Sequence, residues 1–477
     1  MSIEGTLRCA VLWLVAAAAA AACGDGAGKH SPATRSEAGL RDGSDAAAES
    51  HGEAREETDT KPSQDRREDR IDADAADAAR AEAASVDAAS VDAASVDAAH
   101  SDAPGVFVDP EWPPDLPLPP ELDFPPWVNM PEPGRIVVSW RTVAKTTGRV
   151  RFGPTPAYGD VRVTSGTAAN LHHVDLGVLP PATGYHYQIE IDGTSAVRQG
   201  VFVTPGRASW RFAHFGELHA PSKAEEVARS AAALRAFRPH VLVESGDMVD
   251  VGDDLDHWRS YMRTSAPWIS NAIILPAGSN HVKGPGGNFH LKDLFVLPGN
   301  ERWYPTRYGQ VLFLTLDSTA SSNSDIGSKT PDFIAEQTRI AHDGVDDPAF
   351  LIGAWHYPAC SSQFASRAST RAWIQAHFVG PFKDNGGVDL ILVGHDKYYE
   401  RSMIGSIVHL QTNIGSVSPD EPGDDHPDCR PVTTRRDTLS VGLFEVNGTR
   451  IAARIVDDAG GEIDTFTLES RGARPPK

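Results

Sequence analysis

The chain has 477 residues, with 44 Lys or Arg against 65 Asp or Glu, a formal net charge of -21 at pH 7. That length accommodates roughly two or three domains. The negative balance argues against nucleic acid or an anionic membrane face as a partner, and no internal run is long enough to span a bilayer.

The first predicted element is a targeting segment, residues 1–22. Arg8 precedes "CAVLWLVAAAAAAA", an apolar run too short for a spanning helix and ending in small residues. That is the h-region of a secretory signal. "AAAC", ending at Cys23, resembles the bacterial lipobox, whose cysteine is lipidated and becomes the mature N-terminus. The position three before that cysteine is usually Leu and here is Ala20. A cleaved, unlipidated signal is the alternative. The lipobox resemblance implies an exported lipoprotein, anchored to a membrane in the periplasm or at the cell surface. Its only membrane contact would be that anchor.

From Gly24 to about Pro104 the chain is rich in Ala, Asp, Glu and Ser, and it repeats "AASVD" from Ala83 to Asp97. Such a stretch cannot bury enough apolar area to offset its ordering entropy. The Pro-rich "PEWPPDLPLPPELDFPP" follows and should be stiff and extended. Residues 23–126 are therefore expected to be a disordered, acidic and Pro-rich linker.

Residues 127–205 hold short alternating runs, "RIVVSW", "GRVRFG", "YHYQIEI" and "QGVFVT", separated by Gly, Pro and Asp turns. This pattern predicts a small antiparallel sandwich. "LPPATGYHYQIEI" resembles the fibronectin type III signature, which makes Tyr185 and Tyr187 structural residues. His172 and His173 are neighbours on a strand and point to opposite faces. They read as surface rather than as a metal site.

Residues 206–477 carry the chemistry. "WRFAHFGELHA" is an apolar strand ending in Glu217-Leu218-His219. "HVLVESGDMVD" ends in Gly246-Asp247, with Asp250 behind it. "AIILPAGSNHV" ends in Asn280-His281, "FLIGAWHYP" in His356, and "DLILVGHDK" in His395. Polar residues at strand ends converge where the loops gather, the usual place for a site in an α/β protein. A single His after a strand is an ordinary loop residue. Five successive strand ends with ligand-type side chains are not explained by loop composition. Oxygen and imidazole ligands without cysteine suit Mn, Fe or Zn.

The order of these motifs resembles that of the calcineurin-like metallophosphoesterases, and the preceding sandwich and "VDLILVGHDKYYER" resemble the purple acid phosphatase branch. The resemblance runs from Trp127 to the end, where "SVGLFEVNGTRIAARIVDDAGGEIDTFTL" looks like the family's closing strands. It implies an α/β metallophosphoesterase sandwich of two mixed β-sheets flanked by helices, preceded by a small all-β fibronectin III-like sandwich. It also implies a phosphoester substrate, cleaved by metals that clamp the phosphate for in-line attack. Asp247 would then bridge two metals, and Asn280, His356 and His395 would complete the second site. Glu217 and His219 would belong to the first. His281 would assist catalysis at the leaving group, and Asp250 stands where the purple enzymes carry their coloured tyrosinate.

Three positions depart from the family pattern. Glu217 replaces an aspartate, Ser279 a glycine, and Lys397 the last histidine. An ammonium has no lone pair for a metal. Lys397 is either deprotonated and a ligand, or an ammonium occupying the vacant first metal position and paired with Glu217. The second outcome is the expectation. It gives one or two metals per chain, Fe, Zn or Mn, with the second site intact.

Two of the four cysteines, Cys360 and Cys429, remain in loop-like contexts of an exported chain, which suits a disulfide between them. Two functions are open: an acid phosphatase-like hydrolase of phosphomonoesters, or a catalytically degenerate cell-surface binding lipoprotein that keeps the fold.

Overall fold

Each of the five apolar runs that end in ligand-type residues forms a strand, and these strands are interior and have parallel neighbours. The computed structural model describes residues 109–470 except 165, 284–289, 320–323, 363–366 and 418–426; for 324–328 it describes the backbone alone. The signal segment, Cys23 and the acidic spacer up to residue 108 lie outside the described residues. All described residues belong to one compact unit, Ser101–Lys477.

The first seven strands are β1 (Leu122–Glu132), β2 (Arg135–Thr146), β3 (Gly148–Gly153), β4 (Asp160–Val163), β5 (Ala169–Val178), β6 (Gly184–Ile191) and β7 (Val197–Val203). There follow β8 (Ser209–Phe215), α1 (Ala224–Arg229), α2 (Ala231–Phe237), β9 (Val241–Glu244), α3 (Leu255–Ile269), β10 (Ile273–Pro276), α4 (Asn280–Lys283) and α5 (His290–Leu294). The next part holds β11 (Tyr304–Tyr308), β12 (Val311–Thr315), α6 (Ser324–Ile340), β13 (Phe350–Ala354), α7 (Ala368–Ile374), a π-helical turn (Gln375–Val379) and α8 (Gly380–Asp384). The chain ends in β14 (Leu390–Val393), β15 (Tyr399–Ile404), β16 (Ile407–Gln411), β17 (Cys429–Arg435), β18 (Val441–Asn447), β19 (Arg450–Val456) and β20 (Glu462–Glu469).

Two large mixed sheets result. One has nine strands, in the order β20-β19-β18-β8-β9-β10-β1-β2-β5; the other has seven, β11-β12-β13-β14-β16-β15-β17. Strands β8, β9 and β10 are parallel neighbours, as are β12, β13, β14 and β16. Strand β14 shows why its run is continuously apolar. Leu390 and Leu392 face the core between the sheets, while Ile391 and Val393 pack in a second core with helical residues such as Ile374 and Phe382. A strand buried on both faces has no polar side to reveal its period. Phe212 and Phe313 meet edge to face across the inter-sheet core at 5.4 Å.

The strands expected over 127–205 do not stand apart. They form a four-stranded sheet, β4-β3-β6-β7, and a three-stranded one, β1-β2-β5, which joins the nine-stranded sheet where Val128 of β1 pairs with Ile273 of β10. Two tyrosine hydroxyls tie this segment to the larger body. Tyr187 donates to the Ser270 carbonyl and Tyr308 to that of Val203, each at 2.8 Å. His172 and His173 do alternate in direction, but the surface assignment is corrected for His172. It is buried and stacked on Trp140, ring centroids 4.8 Å apart.

The linker boundary at 126 also requires correction. Strand β1 begins at Leu122, and Leu122 and Phe124 are buried. Pro125 and Pro126 fall in a register shift between Phe124 and Trp127, where missing N–H groups are tolerated. Upstream of β1, the arm is fastened by charge. Asp109 bonds Arg207 and Arg211, each at 2.5 Å, with His240 at 3.2 Å. Burial would raise the Asp109 carboxyl, but hydrogen bonds and charge from His240 and Arg211 hold it well below the usual carboxylate range. Burial also keeps His240 below its ordinary value, so at neutral pH the arginines carry the clasp. Arg198 adds a bond to Asp115 at 3.1 Å.

Cys360, four residues past His356, forms a disulfide with Cys429 at the start of β17, Cα–Cα 5.7 Å. It tethers the loop after β13 to the outer edge of the seven-stranded sheet.

Candidate metal centre

The loops after β8, β9, β13 and β14 meet where the two sheets converge. Their backbones stay bonded after the strands end. Glu217 N–H donates to the Gly246 carbonyl at 3.1 Å, and His219 N–H to that of Asp247 at 2.8 Å. On the other sheet, Gly394 N–H donates to the His356 carbonyl at 3.1 Å. Ile414 N–H reaches the Gly216 carbonyl at 2.9 Å and links the two sets of loops.

Backbone strain is concentrated here. Glu217 (φ 64°), His219 (49°), Asp247 (53°), His395 (77°) and Lys397 (59°) are left-handed, five of the ten such non-glycine residues among those described. Each costs about 1–3 kcal/mol and persists only where the surroundings impose it. Gly246 (φ 97°) permits a close approach. A Cβ there would sit 2.6 Å from Ser279 Cβ and 2.9 Å from His356 Nδ1.

Two ligand-type clusters share Asp247: His219, Asp247 and His281 in one, Asp247, His356 and His395 in the other. Within each, donor atoms lie within 4.8 Å of one another. His356 Nε2 is 3.2 Å from Asp247 Oδ2, and His395 Nδ1 is 3.1 Å from His356 Nε2. His219 Nε2 and His281 Nε2 stand 3.6 and 4.0 Å from Asp247 Oδ2. The donor set fits a cation, because the far nitrogens are already committed. His356 Nδ1 donates to the Ser245 carbonyl at 2.9 Å and His281 Nδ1 to that of Asp250 at 2.7 Å. A carbonyl only accepts, so each ring turns Nε2 toward Asp247, as ligating imidazoles do.

Burial would push the Asp247 carboxyl up, but His356, and after it His281 and His219, hold it far below the usual range. Burial lowers His356, yet Asp247 and Glu217 outweigh it and carry it up to about 9. Burial, then the His356 charge, holds His395 well below its ordinary value. For His219, burial is outweighed by Glu217 and Asp247, which raise it, while Lys397 opposes them. Without a metal, Asp247 and His356 thus form a buried carboxylate–imidazolium pair, and His395 is neutral.

The expected Glu217–Lys397 pair is not formed. Among the described residues, no ion pair within 4.0 Å joins Lys397 to Glu217. Glu217 is fully buried. Its Oε1 accepts the His395 N–H and its Oε2 lies 3.0 Å from His219 Nε2. The extra methylene lets this carboxylate reach across to the backbone of the opposite loop, so Glu217 orients His219 and His395 and stands outside both clusters. Lys397 is half-buried, and its charge bears on His219 and His395. Asn280 opens α4 and is exposed, next to His281, whose N–H bonds Asp247 Oδ1 at 3.3 Å. Asp250 accepts from Ser222 N at 3.0 Å and Oγ at 2.9 Å, and its Oδ1 is 3.3 Å from His219 Nδ1.

Several contributors carry no sequence signal of their own. Ser279, which reads as a departure, anchors the Asp247 loop: its Oγ accepts the Asp247 N–H at 2.8 Å. Glycine could not do this. Tyr357 packs edge-on against His395, ring centroids 4.5 Å apart. Its neighbour His356 is the one signal that points to it in the sequence.

No family model matches the chain. Two proteins from strains of Mycobacterium tuberculosis, uncharacterized protein MT2654 and uncharacterized protein Rv2577, are each 25% identical over 326 residues, 56% of this chain. The chain spans 59% of the length of those relatives. Among solved structures, purple acid phosphatase PPD1 from yellow lupin (Lupinus luteus) seeds has a TM-score of 0.58 at 16% identity, covering 72% of this chain and 74% of that one. PhoD has a TM-score of 0.54 at 11% identity, covering 75% and 92%. These likenesses show that the fold, two mixed sheets flanked by helices, is like that of purple acid phosphatase PPD1 and PhoD. The two His/Asp clusters are donor sets that could each hold a metal ion.

Proposed function

We propose that the chain is an exported, metal-dependent phosphomonoesterase of the acid-phosphatase kind, with an altered first metal position. The observation that carries this reading is the sharing of one buried carboxylate, Asp247, by two ligand clusters at the convergence of the sheets. Asp247, His356 and His395, with Asn280 as a further ligand, would hold Fe, Zn or Mn. When bound, such a cation supplies Lewis-acid polarisation of a phosphoryl oxygen.

The chain's own groups do the remaining work. Glu217 fixes the His395 backbone and the His219 ring. The Lys397 ammonium supplies positive charge near His219 and His395, where it offsets charge on a phosphoryl oxygen. His281 is only partly buried and has Nδ1 tied to a carbonyl, so its Nε2 can carry a proton to the leaving oxygen. The seven strands from β1 to β7, split three and four, support a fibronectin III-like module whose three-stranded sheet extends the catalytic one.

Purified protein is expected to hold about one tightly bound metal per chain by elemental analysis, and to hydrolyse a generic aryl phosphate. Two tight metals would show that Lys397 does not stand in for a cation. Metal without hydrolysis would favour the second reading, a degenerate surface-binding lipoprotein, which the Glu217 and Lys397 departures support.

Export and anchoring rest on the apolar run ending at Cys23. A Cys23→Ser change is expected to move the protein from the membrane fraction to the soluble one. A wild-type protein that is already soluble after cleavage excludes the anchor.

A further inference from the structure

The arm that precedes β1 follows a definite path over the body. Followed from Asp115 toward the N-terminus, it is held at every second residue. Asp115 pairs with Arg198 of β7 at 3.1 Å, the Pro113 carbonyl accepts from Arg235 of α2 at 2.9 Å, and Glu111 pairs with Arg238, just past α2, at 2.6 Å. Asp109, where the described chain begins, closes on Arg207, Arg211 and His240 beside the start of β8. The arm therefore runs along α2 and arrives at β8, the neighbour of β18.

Past β8 the sheet continues into β18, β19 and β20. Phe444 of β18 stacks on Phe212 in the core, ring centroids 4.3 Å apart, so Leu443 and Glu445 on either side of it point outward. Their cross-strand partners Arg454 and Ala452, and Thr465 beyond Arg454, continue that outer face. With Phe237, the last residue of α2, they line a groove of about 520 Å³, a size typical of ligand pockets, about 300–1,000 Å³. Its floor is apolar, and its rim residues Glu445, Arg454 and Thr465 are exposed. The groove starts where the arm ends. The Arg211 guanidinium, 2.5 Å from Asp109 Oδ2, lies 5.9 Å from the centre of the Phe237 ring. Glu445 lines both this groove and the cleft that holds Asp109.

Immediately before Asp109 the chain reads Val106-Phe107-Val108, and Phe107 is the first aromatic residue after Cys23. Three residues span at most about 10 Å, the length of the step from Asp109 past Arg211 to Phe237. We propose that the groove is the seat of the chain's own Val106–Val108 segment, with Phe107 against Phe237, Leu443 and Ala452. Charge agrees with this occupant. Arg454 stands exposed on β19, and the residues farther toward the N-terminus are predominantly acidic, beginning with Asp102. The acidic spacer then leaves the body over β19 and β20 rather than at the Asp109 clasp, and the outer face of these strands is closed to other chains. The proposal is independent of the chemistry at the metal centre.

The test is chymotrypsin cleavage after Phe107 in the full chain, followed by mass spectrometry, with the free peptide of residues 101–111 as reference. Proteolysis follows the population of the open form, so a seated Phe107 should be cut on the order of tenfold or more slowly than in the peptide. Ala452→Lys puts an ammonium on the groove floor and should return most of that rate, while the thermal unfolding midpoint reports whether the sheet is intact. If Ala452→Lys unfolds early, cross-linking decides. The full chain carrying Cys23→Ser, Phe107→Cys and Ala452→Cys is oxidised beside one carrying Cys23→Ser, Phe107→Cys and Val163→Cys, since Val163 is exposed on β4 outside the groove. The groove pair should close its disulfide on the order of tenfold faster, because docking holds the two Cα atoms within bridging reach. Cleavage at the peptide rate overturns the proposal, as do equal closing rates in the two pairs. Protection that is unchanged in a folded Ala452→Lys chain also overturns it, because the Asp109 clasp alone would then be its cause. Protection or cross-linking that appears only at high protein concentration would put a second copy in the groove and overturn it as well.

Discussion

Changing His356 to Ala is expected to remove the bound metal and, with it, aryl-phosphate hydrolysis. His356 is fully buried, with Nε2 3.2 Å from Asp247 and Nδ1 fixed on the Ser245 carbonyl. No neighbouring side chain can supply a replacement nitrogen, because His395 and His219 already have their own positions. Changes that merely loosen a ligand's support cost about 10- to 100-fold in affinity or activity, so loss of the ligand should exceed a hundredfold. The same change leaves the Asp247 carboxylate buried without its imidazolium. Removing one partner of a buried pair costs about 3–5 kcal/mol, so the metal-free variant should also melt earlier. The two effects are separated by measuring metal content by elemental analysis on the folded fraction, and thermal unfolding with and without chelator. Wild-type metal content in the variant would reject the cluster as the metal site. A metal-free variant with unchanged unfolding would reject the buried ion pair while leaving the ligand assignment intact.

Much of this centre is legible in the sequence because of how parallel strands are buried. "FLIGA" and "LILV" are covered on both faces, so each reads as an unbroken apolar run with an abrupt polar end. The polar ends supply the two donor clusters, and five of them in chain order point to that place in the fold. What stays hidden is any property that depends on a partner distant in sequence. Glu217 reads as a metal ligand, and nothing in the sequence shows that its carboxylate also reaches the backbone of His395, 178 positions away. Asp109 reads as linker because Arg207 and Arg211, which clasp it, lie about a hundred residues downstream. Strand β1 is obscured by Pro125 and Pro126, which fall at a bulge that only the register reveals.

Glu244 to Gln is expected to stabilise the protein, and to do so increasingly as pH rises from 5 to 8. Glu244 is the last residue of β9, three before Asp247, and it is wholly buried. Its Oε2 accepts the Tyr261 hydroxyl at 2.7 Å, while its Oε1 has no hydrogen-bond partner. Burial pushes its pKa up to about 8, against a small opposing effect of the Tyr261 bond. The folded protein therefore keeps this proton across a range in which the unfolded chain, titrating near 4.5, has released it. Where the native state binds more protons than the unfolded state, stability falls as pH rises. The loss begins near pH 4.5 and is complete near pH 8. A displacement of this size corresponds to about 5 kcal/mol as an upper bound. Gln has the same shape, can still accept from Tyr261, and does not titrate. The gain in unfolding free energy of Glu244→Gln over wild type should therefore be small at pH 5 and on the order of several kcal/mol at pH 8. Chemical denaturation at four or five pH values measures it, with metal removed by chelator so that ligand binding does not contribute. A gain that does not change with pH would mean that Glu244 is already ionised in the fold. The charge would then need a partner, and water entering beside Oε1 from the Asp247 loop would be the place to look for it.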